Sequence, residues 1–281
     1  MEDVVVVIGV RGFGLPIARR LGKGRHLLLG DISAEVLEAT AGALRREGYK
    51  VSARVLDLSD AASVRAFAED VPQLGRLRSL VLTAGLSPRM ASADRILEVN
   101  LLGPINLLDA FLPLVARGTV GVLMASTAAY YAPVPPEIEK LMALGDRADL
   151  MDKVRTVEGA DTGLGAYWLA KRCNQLRVEA AAPAWGAKGG RIVSVSPGII
   201  STEMIQFERE VGAPVEETVE ATPVGRIGNP DEIAAAVEWL SSPDAAFVTG
   251  ADLLIDGGLV AALRWGALQS EDPQDVSRQA V

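Results

Sequence analysis

Tyr167 and Lys171 stand four apart in Tyr167-Trp168-Leu169-Ala170-Lys171. The surrounding pattern is strongly helical, so the spacing puts both on one helix face. A tyrosine titrates near pH ~10, too high to serve as a base at neutrality. A nearby ammonium stabilises the phenolate and lowers that pKa, and such a pair can move a proton to or from a substrate oxygen. A second constellation lies near the N-terminus. Gly9-Val10-Arg11-Gly12-Phe13-Gly14 follows an apolar run and opens a helical pattern with Pro16 in its first turn. Glycines let the backbone turn tightly and approach a pyrophosphate, which the free N–H groups of a helix N-terminus attract. Proline is accepted there because that N–H has no helical partner. The next apolar run ends at Leu29-Gly30-Asp31. An acidic residue roughly 20 positions past such a loop can bind the adenosine ribose hydroxyls, and it repels a 2′-phosphate. Asp31 thus argues for NAD over NADP, with a helix N-cap or turn as its structural alternative. Arg11 pulls the other way, because a cation in the loop can meet a 2′-phosphate, so NADP stays open.

These residues need elements to hold them. Short apolar runs at 4–8, 26–29, 50–56, 79–83, 120–125, 191–196 and 252–255 read as strands. Helical patterns at 15–21, 34–46, 61–71, 95–115, 164–182 and 230–240 separate most of them. Strands alternating with helices imply βαβ units and a mainly parallel sheet, and right-handed crossovers make it a doubly wound, Rossmann-type α/β fold. Ligands bind such sheets beyond the C-terminal strand ends, where the residues above fall. One domain is expected over 1–265, followed by a polar tail at 266–281.

Composition excludes several classes. The 281 residues carry a formal net charge of −8 with no basic cluster, a poor basis for nucleic-acid binding. The lone cysteine, Cys173, rules out an intrachain disulfide, and the lone histidine, His26, rules out multi-histidine metal sites. Both read as structural residues. Only Met1-Glu2-Asp3 precede the first apolar run, without a basic leader, and no apolar run reaches membrane-spanning length. A cytoplasmic protein with no membrane partner is expected.

Together the motifs resemble the short-chain dehydrogenase/reductase family, single-domain branch, from Val4 to about Gly258. The glycine loop and Asp31 fit. Asp57-Leu58 is similar to the family's adenine-contacting pair, and Ala84-Gly85 to the end of its Asn-Asn-Ala-Gly motif. Leu97-Glu98-Val99-Asn100 resembles the segment with its catalytic asparagine, Met124-Ala125-Ser126 the strand with its catalytic serine, and Tyr167 with Lys171 its Tyr-x-x-x-Lys. Ser196-Pro197-Gly198 with Thr202 is similar to the nicotinamide-side segment. Pro223-Val224-Gly225-Arg226, Asn229-Pro230-Asp231-Glu232 and Thr249-Gly250 through Asp256-Gly257-Gly258 resemble the C-terminal signature. The resemblance implies an NAD(P)(H)-dependent oxidoreductase that interconverts an alcohol and a ketone or aldehyde by hydride transfer. Tyr167 would be the general acid/base. Lys171 would hold the nicotinamide ribose and lower the phenol pKa, and Ser126 would bind the substrate oxygen and stabilise developing charge. Asn100 would anchor a water joining Lys171 to solvent. The implied cofactor-binding residues are Gly9, Arg11, Gly12, Phe13, Gly14, Asp31, Ile32, Asp57, Leu58, Ala84, Gly85, Tyr167, Lys171, Pro197, Gly198, Ile200 and Thr202. Singly, Ser126 reads equally as a strand-end turn former, Asn100 as a helix-interior residue and Thr202 as a helix cap. The rival function is a catalytically idle NAD(P)-binding sensor or scaffold.

Three departures stand out. The glycine loop is one residue shorter than the family's Thr-Gly-x-x-x-Gly-x-Gly, and Ile8 replaces its threonine. Leu82-Thr83-Ala84-Gly85 lacks both asparagines of Asn-Asn-Ala-Gly. Ser126 and Tyr167 are 41 positions apart, far beyond the family's short link. The extra segment, 131–163, carries Pro133, Pro135 and Pro136, and its apolar spacing (Ile138, Leu141, Met142, then Leu150, Met151, Val154) predicts one or two short amphipathic helices. Anchored at both ends by site residues, it is expected either to fold as an apolar lid favouring a bulky hydrophobic substrate, or to form a surface or interface element. By obstructing one subunit face it makes a homodimer the alternative to a homotetramer.

Overall fold

The computed structural model describes residues 1–266, so the expected polar tail lies, past Gly266, outside the described residues. In chain order the elements are β1 (Asp3–Ile8), α1 (Gly14–Leu21), β2 (His26–Asp31), α2 (Ala34–Arg46), β3 (Lys50–Val55), α3 (Ala61–Ala68), α4 (Val71–Leu74), β4 (Arg76–Leu82), α5 (Ala93–Leu97), α6 (Gly103–Phe111), β5 (Val120–Met124), α7 (Pro136–Leu144), α8 (Arg147–Val154), α9 (Gly163–Ala187), β6 (Arg191–Pro197), α10 (Glu203–Glu210), α11 (Val215–Glu220), α12 (Pro230–Ser241), β7 (Asp252–Ile255) and α13 (Leu259–Trp265). A π-helical turn, Glu98–Leu102, joins α5 to α6.

The strands form one sheet in the order β3-β2-β1-β4-β5-β6-β7, every neighbour pair parallel. The order reverses between β1 and β4, which opens a crevice at their C-terminal ends. Side chains alternate along β1: Val5 and Val7 enter one core with α1, α2 and α12, whereas Val4, Val6 and Ile8 enter the other with α3, α6 and α9. A strand buried on both faces is apolar throughout, which is why the strands read as unbroken runs. β4 begins at Arg76, earlier than its apolar run suggests, because Arg76 pairs with Asp3 of β1. Polar residues at a strand start hide it from a reading based on hydrophobicity. The helical run Ala93–Leu114 is long and apolar enough to cross a membrane, and 61% of its most apolar window is buried inside the fold.

The insertion is helical, as its spacing predicts, and most of its apolar residues pack on the protein's own helices. Ile138, Met142, Leu150, Met151 and Val154 pack against Ile96, Leu97, Leu101 and Ile105 on one side and Leu169, Cys173 and Leu176 of α9 on the other. This third apolar cluster lies outside the two that flank the sheet. Met142, Leu150 and Val154 are fully buried against the protein's own helices. Arg172 of α9 binds Glu139 at 2.8 Å, Arg147 binds Asp109 of α6 at 2.6 Å and Arg155 binds Asp94 of α5 at 3.0 Å. Such partly exposed pairs add little stability, yet they fix the register of α7 and α8 on that face.

Candidate active site

Gly9 and Gly12 adopt φ of +89° and +51°, a backbone region that disfavours a side chain. A Cβ on Gly9 would lie 2.4 Å from the Ala84 nitrogen, and one on Gly14 would lie 1.9 Å from the Gly9 oxygen. The loop is therefore folded tightly against β4, and no side chain caps α1 at Phe13. Thr83, which stands in place of an asparagine, donates its hydroxyl to the Gly9 carbonyl at 2.6 Å. It braces the loop, a role its type does not announce. This concave turn at a helix start is a cradle that fits a pyrophosphate.

Asp31 ends β2 beside the cradle. Its carboxylate accepts from Val10 N at 3.0 Å and from Ser33 N at 3.0 Å, so it is held in place by backbone on both sides. The cap of α2 is Ser33, not Asp31. Arg11 points elsewhere, reaching Glu203 at the start of α10 at 3.3 Å, with both side chains exposed. Ile32 is 62% exposed. Asp57 accepts from the Ser59 N–H at 2.9 Å and hydroxyl at 2.6 Å. Burial opposes its charge, but Ser59 and Arg95 win and hold its carboxyl below the ordinary value. Leu58 is buried, and its carbonyl accepts from Asn106 at 2.8 Å.

Across the crevice, Gly198 donates to the Ile255 carbonyl at 2.9 Å, directly after Pro197 of β6. Ile200 is buried and bridges to Gly228. Thr202 does cap α10, accepting from Ile205 N at 3.4 Å. It also lies beside the glycine loop: a Cβ on Gly12 would come 3.3 Å from its methyl group. Thus the loop after β1 and the loop after β6 meet.

Ser126, Tyr167 and Lys171 converge on one wall of this crevice. Ser126 follows β5, accepts from Ala128 N at 3.2 Å and lines the cavity together with Tyr167. Lys171, 6% exposed, donates to the Met124 carbonyl at 2.9 Å and sits 5.5 Å from the Tyr167 ring centroid. Burial pulls its ammonium down to about 8. The expected depression of the phenol by Lys171 needs correction. Burial dominates and pushes Tyr167 up, the nearby Ser126 hydroxyl pulls it down, and the Glu208 charge pushes it up again. Low polarity disfavours phenolate and ammonium alike, so Ser126 is the group that favours the phenolate here. The neighbouring Tyr130 is differently engaged. Its hydroxyl donates to Asp252 at 2.7 Å, and burial with that carboxylate raises its pKa.

Asn100 lies in the π-helical turn and is 2% exposed. It donates to the Leu86 carbonyl at 2.7 Å and accepts from Leu86 N at 2.8 Å. A Cβ on Gly85, next to Ala84 at the end of β4, would be 3.1 Å from the Asn100 oxygen and 3.7 Å from Lys171 Nζ. Asn174, one turn past Lys171, places its amide 3.1 Å from the Asn100 carbonyl oxygen. Gln175 donates to Ser196 and Asp252, each at 3.1 Å. Tyr167, Lys171, Asn174 and Gln175 recur at helical spacing, and that polar stripe was the available signal for the last two.

The crevice widens into a cavity of about 990 Å³ roofed by α10, α11 and α13, with Met204, Ile205, Val215, Leu259 and Leu263 among its lining. The insertion touches it only at its margin, through Tyr131. Tyr131 stacks at a tilt on Trp168 with ring centroids 6.3 Å apart.

Comparison with known proteins agrees with this geometry. Residues 3–134 match the family profile described as short chain dehydrogenase, and residues 151–260 that described as enoyl-(acyl carrier protein) reductase. The chain is 34% identical to the short-chain dehydrogenase/reductase bsc3 of Alternaria brassicicola over 93% of its own length and 97% of that protein. It is 30% identical to a 3-alpha-hydroxysteroid dehydrogenase/carbonyl reductase of Comamonas testosteroni, over 84% of this chain and 94% of that one. A solved short-chain dehydrogenase/reductase from Serratia marcescens superposes with a TM-score of 0.72 at 26% identity, covering 92% of this chain and 98% of that one.

Proposed function

The chain belongs to the short-chain dehydrogenase/reductase family and is an NAD(P)(H)-dependent oxidoreductase of CH–OH groups, and within that activity we propose that it uses NAD, acts on an apolar alcohol or ketone and transfers the proton through Tyr167. The observation that carries the reading is the convergence of Ser126, Tyr167 and Lys171 on the wall of a cavity that the Gly12–Thr202 contact borders.

The residues fit a dinucleotide: the glycine cradle suits its pyrophosphate, Asp31 its adenosine ribose, and Lys171 with Thr202 its nicotinamide half. When bound, the nicotinamide supplies or accepts the hydride. In reduction, the Tyr167 phenol gives its proton to the carbonyl oxygen as charge develops there, and in oxidation the phenolate takes it from the hydroxyl. Ser126 donates its single hydroxyl proton to that oxygen and stabilises the charge developing there. Lys171, fixed on the Met124 carbonyl, lies one helical turn below the phenol, and Asn100 clamps Leu86 so that Gly85 stays close to Lys171. NAD is favoured because Asp31 is pinned beside the cradle, where it would face a 2′-phosphate, while Arg11 is drawn toward Glu203. The apolar roof favours a hydrophobic substrate. α7 and α8, packed on α6 and α9, obstruct that face for subunit packing, which supports a homodimer over a homotetramer as the proposed assembly.

The test is a panel of hydrophobic secondary alcohols and ketones assayed with NAD(H) and NADP(H). Turnover with NAD preferred supports the reading. Tight cofactor binding without turnover of any member would favour the idle sensor.

A further inference from the structure

Glu208 has no part in the proton-transfer scheme above, yet it is 7% exposed and lines the same cavity as Ser126 and Tyr167. Its hydrogen bonding is thin. The Arg89 main-chain N–H reaches one carboxylate oxygen at 3.3 Å, and Arg89 Nε stands 3.7 Å from the other. A carboxylate has about four acceptor positions, and a buried charge is normally well paired. The residue also sits in the last turn of α10, where the helix dipole disfavours an anion. The clasp between α10 and the loop at Arg89 does not need this carboxylate, because Arg89 Nη1 donates independently to the Val211 carbonyl at 2.6 Å. Glu208 and Tyr167 line one cavity of about 990 Å³, so a single small molecule bound there can meet both. The wall near it is apolar, through Met204, Ile205 and Val215.

We propose that Glu208 is a substrate-specificity residue: its carboxylate accepts a hydrogen bond from a second donor, a hydroxyl or a protonated amine, on an otherwise apolar alcohol or ketone whose reacting oxygen meets Tyr167 and Ser126. This rests on the reaction proposed above and narrows its substrate class. The same charge disfavours a substrate bearing a carboxylate at that position.

The experiment uses a series of secondary alcohols, CH₃–CH(OH)–(CH₂)n–X, of graded chain length with X as methyl, hydroxymethyl, aminomethyl or carboxylate. Binding to the enzyme saturated with NADH is measured by calorimetry, and turnover with NAD separately, so that a failed reaction scheme shows as absent turnover with the binding preference intact. For at least one length the wild type should bind the hydroxyl or ammonium member about tenfold or more tighter than the methyl member, and the carboxylate weakest, as expected for a hydrogen bond to a charged acceptor. Glu208→Leu should abolish both preferences. Glu208→Gln should abolish the ammonium preference and relieve the carboxylate, while Arg89→Ala should keep the order. Equal binding of all end groups at every length, or an order that survives Glu208→Leu, overturns the proposal. Which donor binds tighter distinguishes a hydroxylated substrate from an amine.

Discussion

Replacing Lys171 by methionine is expected to inactivate the protein and stabilise it at once. Burial holds the Lys171 ammonium at about 8, against 10.5 for the free side chain, so keeping it protonated in the fold at pH 7 costs about 3 kcal/mol. Methionine has similar length and no charge to desolvate. Losing the hydrogen bond to the Met124 carbonyl returns about 1–2 kcal/mol of that, which leaves a net gain of about 1–2 kcal/mol. The effect has a pH signature. Between pH 8 and 10.5 the folded wild type binds fewer protons at this position than the unfolded chain, so its stability rises with pH across that window. The variant has no such dependence from this position. Its advantage should be full at pH 7 and should shrink toward pH 10. Equilibrium unfolding in urea at the two pH values reads both. A variant less stable than wild type at pH 7, or an advantage unchanged at pH 10, would refute the argument that desolvation dominates at Lys171.

Two further outcomes follow from the geometry. Asp31→Ser should weaken NADH about tenfold, the loss of hydrogen bonds to a charged acceptor, and raise the NADPH-to-NADH affinity ratio; fluorescence titration of both cofactors measures it, and an unchanged ratio would move the selectivity to Arg11. Met142→Ala empties a fully buried position in the insertion and should cost about 2–5 kcal/mol of stability while leaving KM within about twofold, because α7 serves as a core layer away from the substrate. A large KM change with stability intact would favour a lid role for the insertion instead.

Most of the framework was legible because buried parallel strands announce themselves as apolar runs, and the glycine loop, Ser126, Tyr167 and Lys171 follow those runs at strand and helix ends. What escaped has physical reasons. The start of β4 is polar because Arg76 pairs with Asp3. The amphipathic spacing of Ile138, Met142 and Leu150 marks helices with one apolar face, but such a face fits a substrate or a neighbouring helix equally well, and the sequence cannot choose between them. The cavity roof is built from α10, α11 and α13, short helices whose apolar residues are too few to show a clear period. Glu208 was invisible because a glutamate in a polar stretch reads as solvated. Thr83 stands at a position where the family carries asparagine, and its hydroxyl braces the Gly9 carbonyl, a contact that residue type and spacing do not announce. Spacing shows the lysine charge beside the phenol but not the burial that disfavours the charged form of both groups.

The most direct test of the proton-transfer assignment is single-turnover hydride transfer in Tyr167→Phe, with NADH affinity measured on the same preparation. The fold is expected to keep its cofactor affinity within about twofold, since the phenyl ring fills the same space, while hydride transfer falls by about 10²–10⁴, the usual contribution of a positioned acid/base. Hydride transfer at the wild-type rate in that variant would contradict the role assigned to Tyr167.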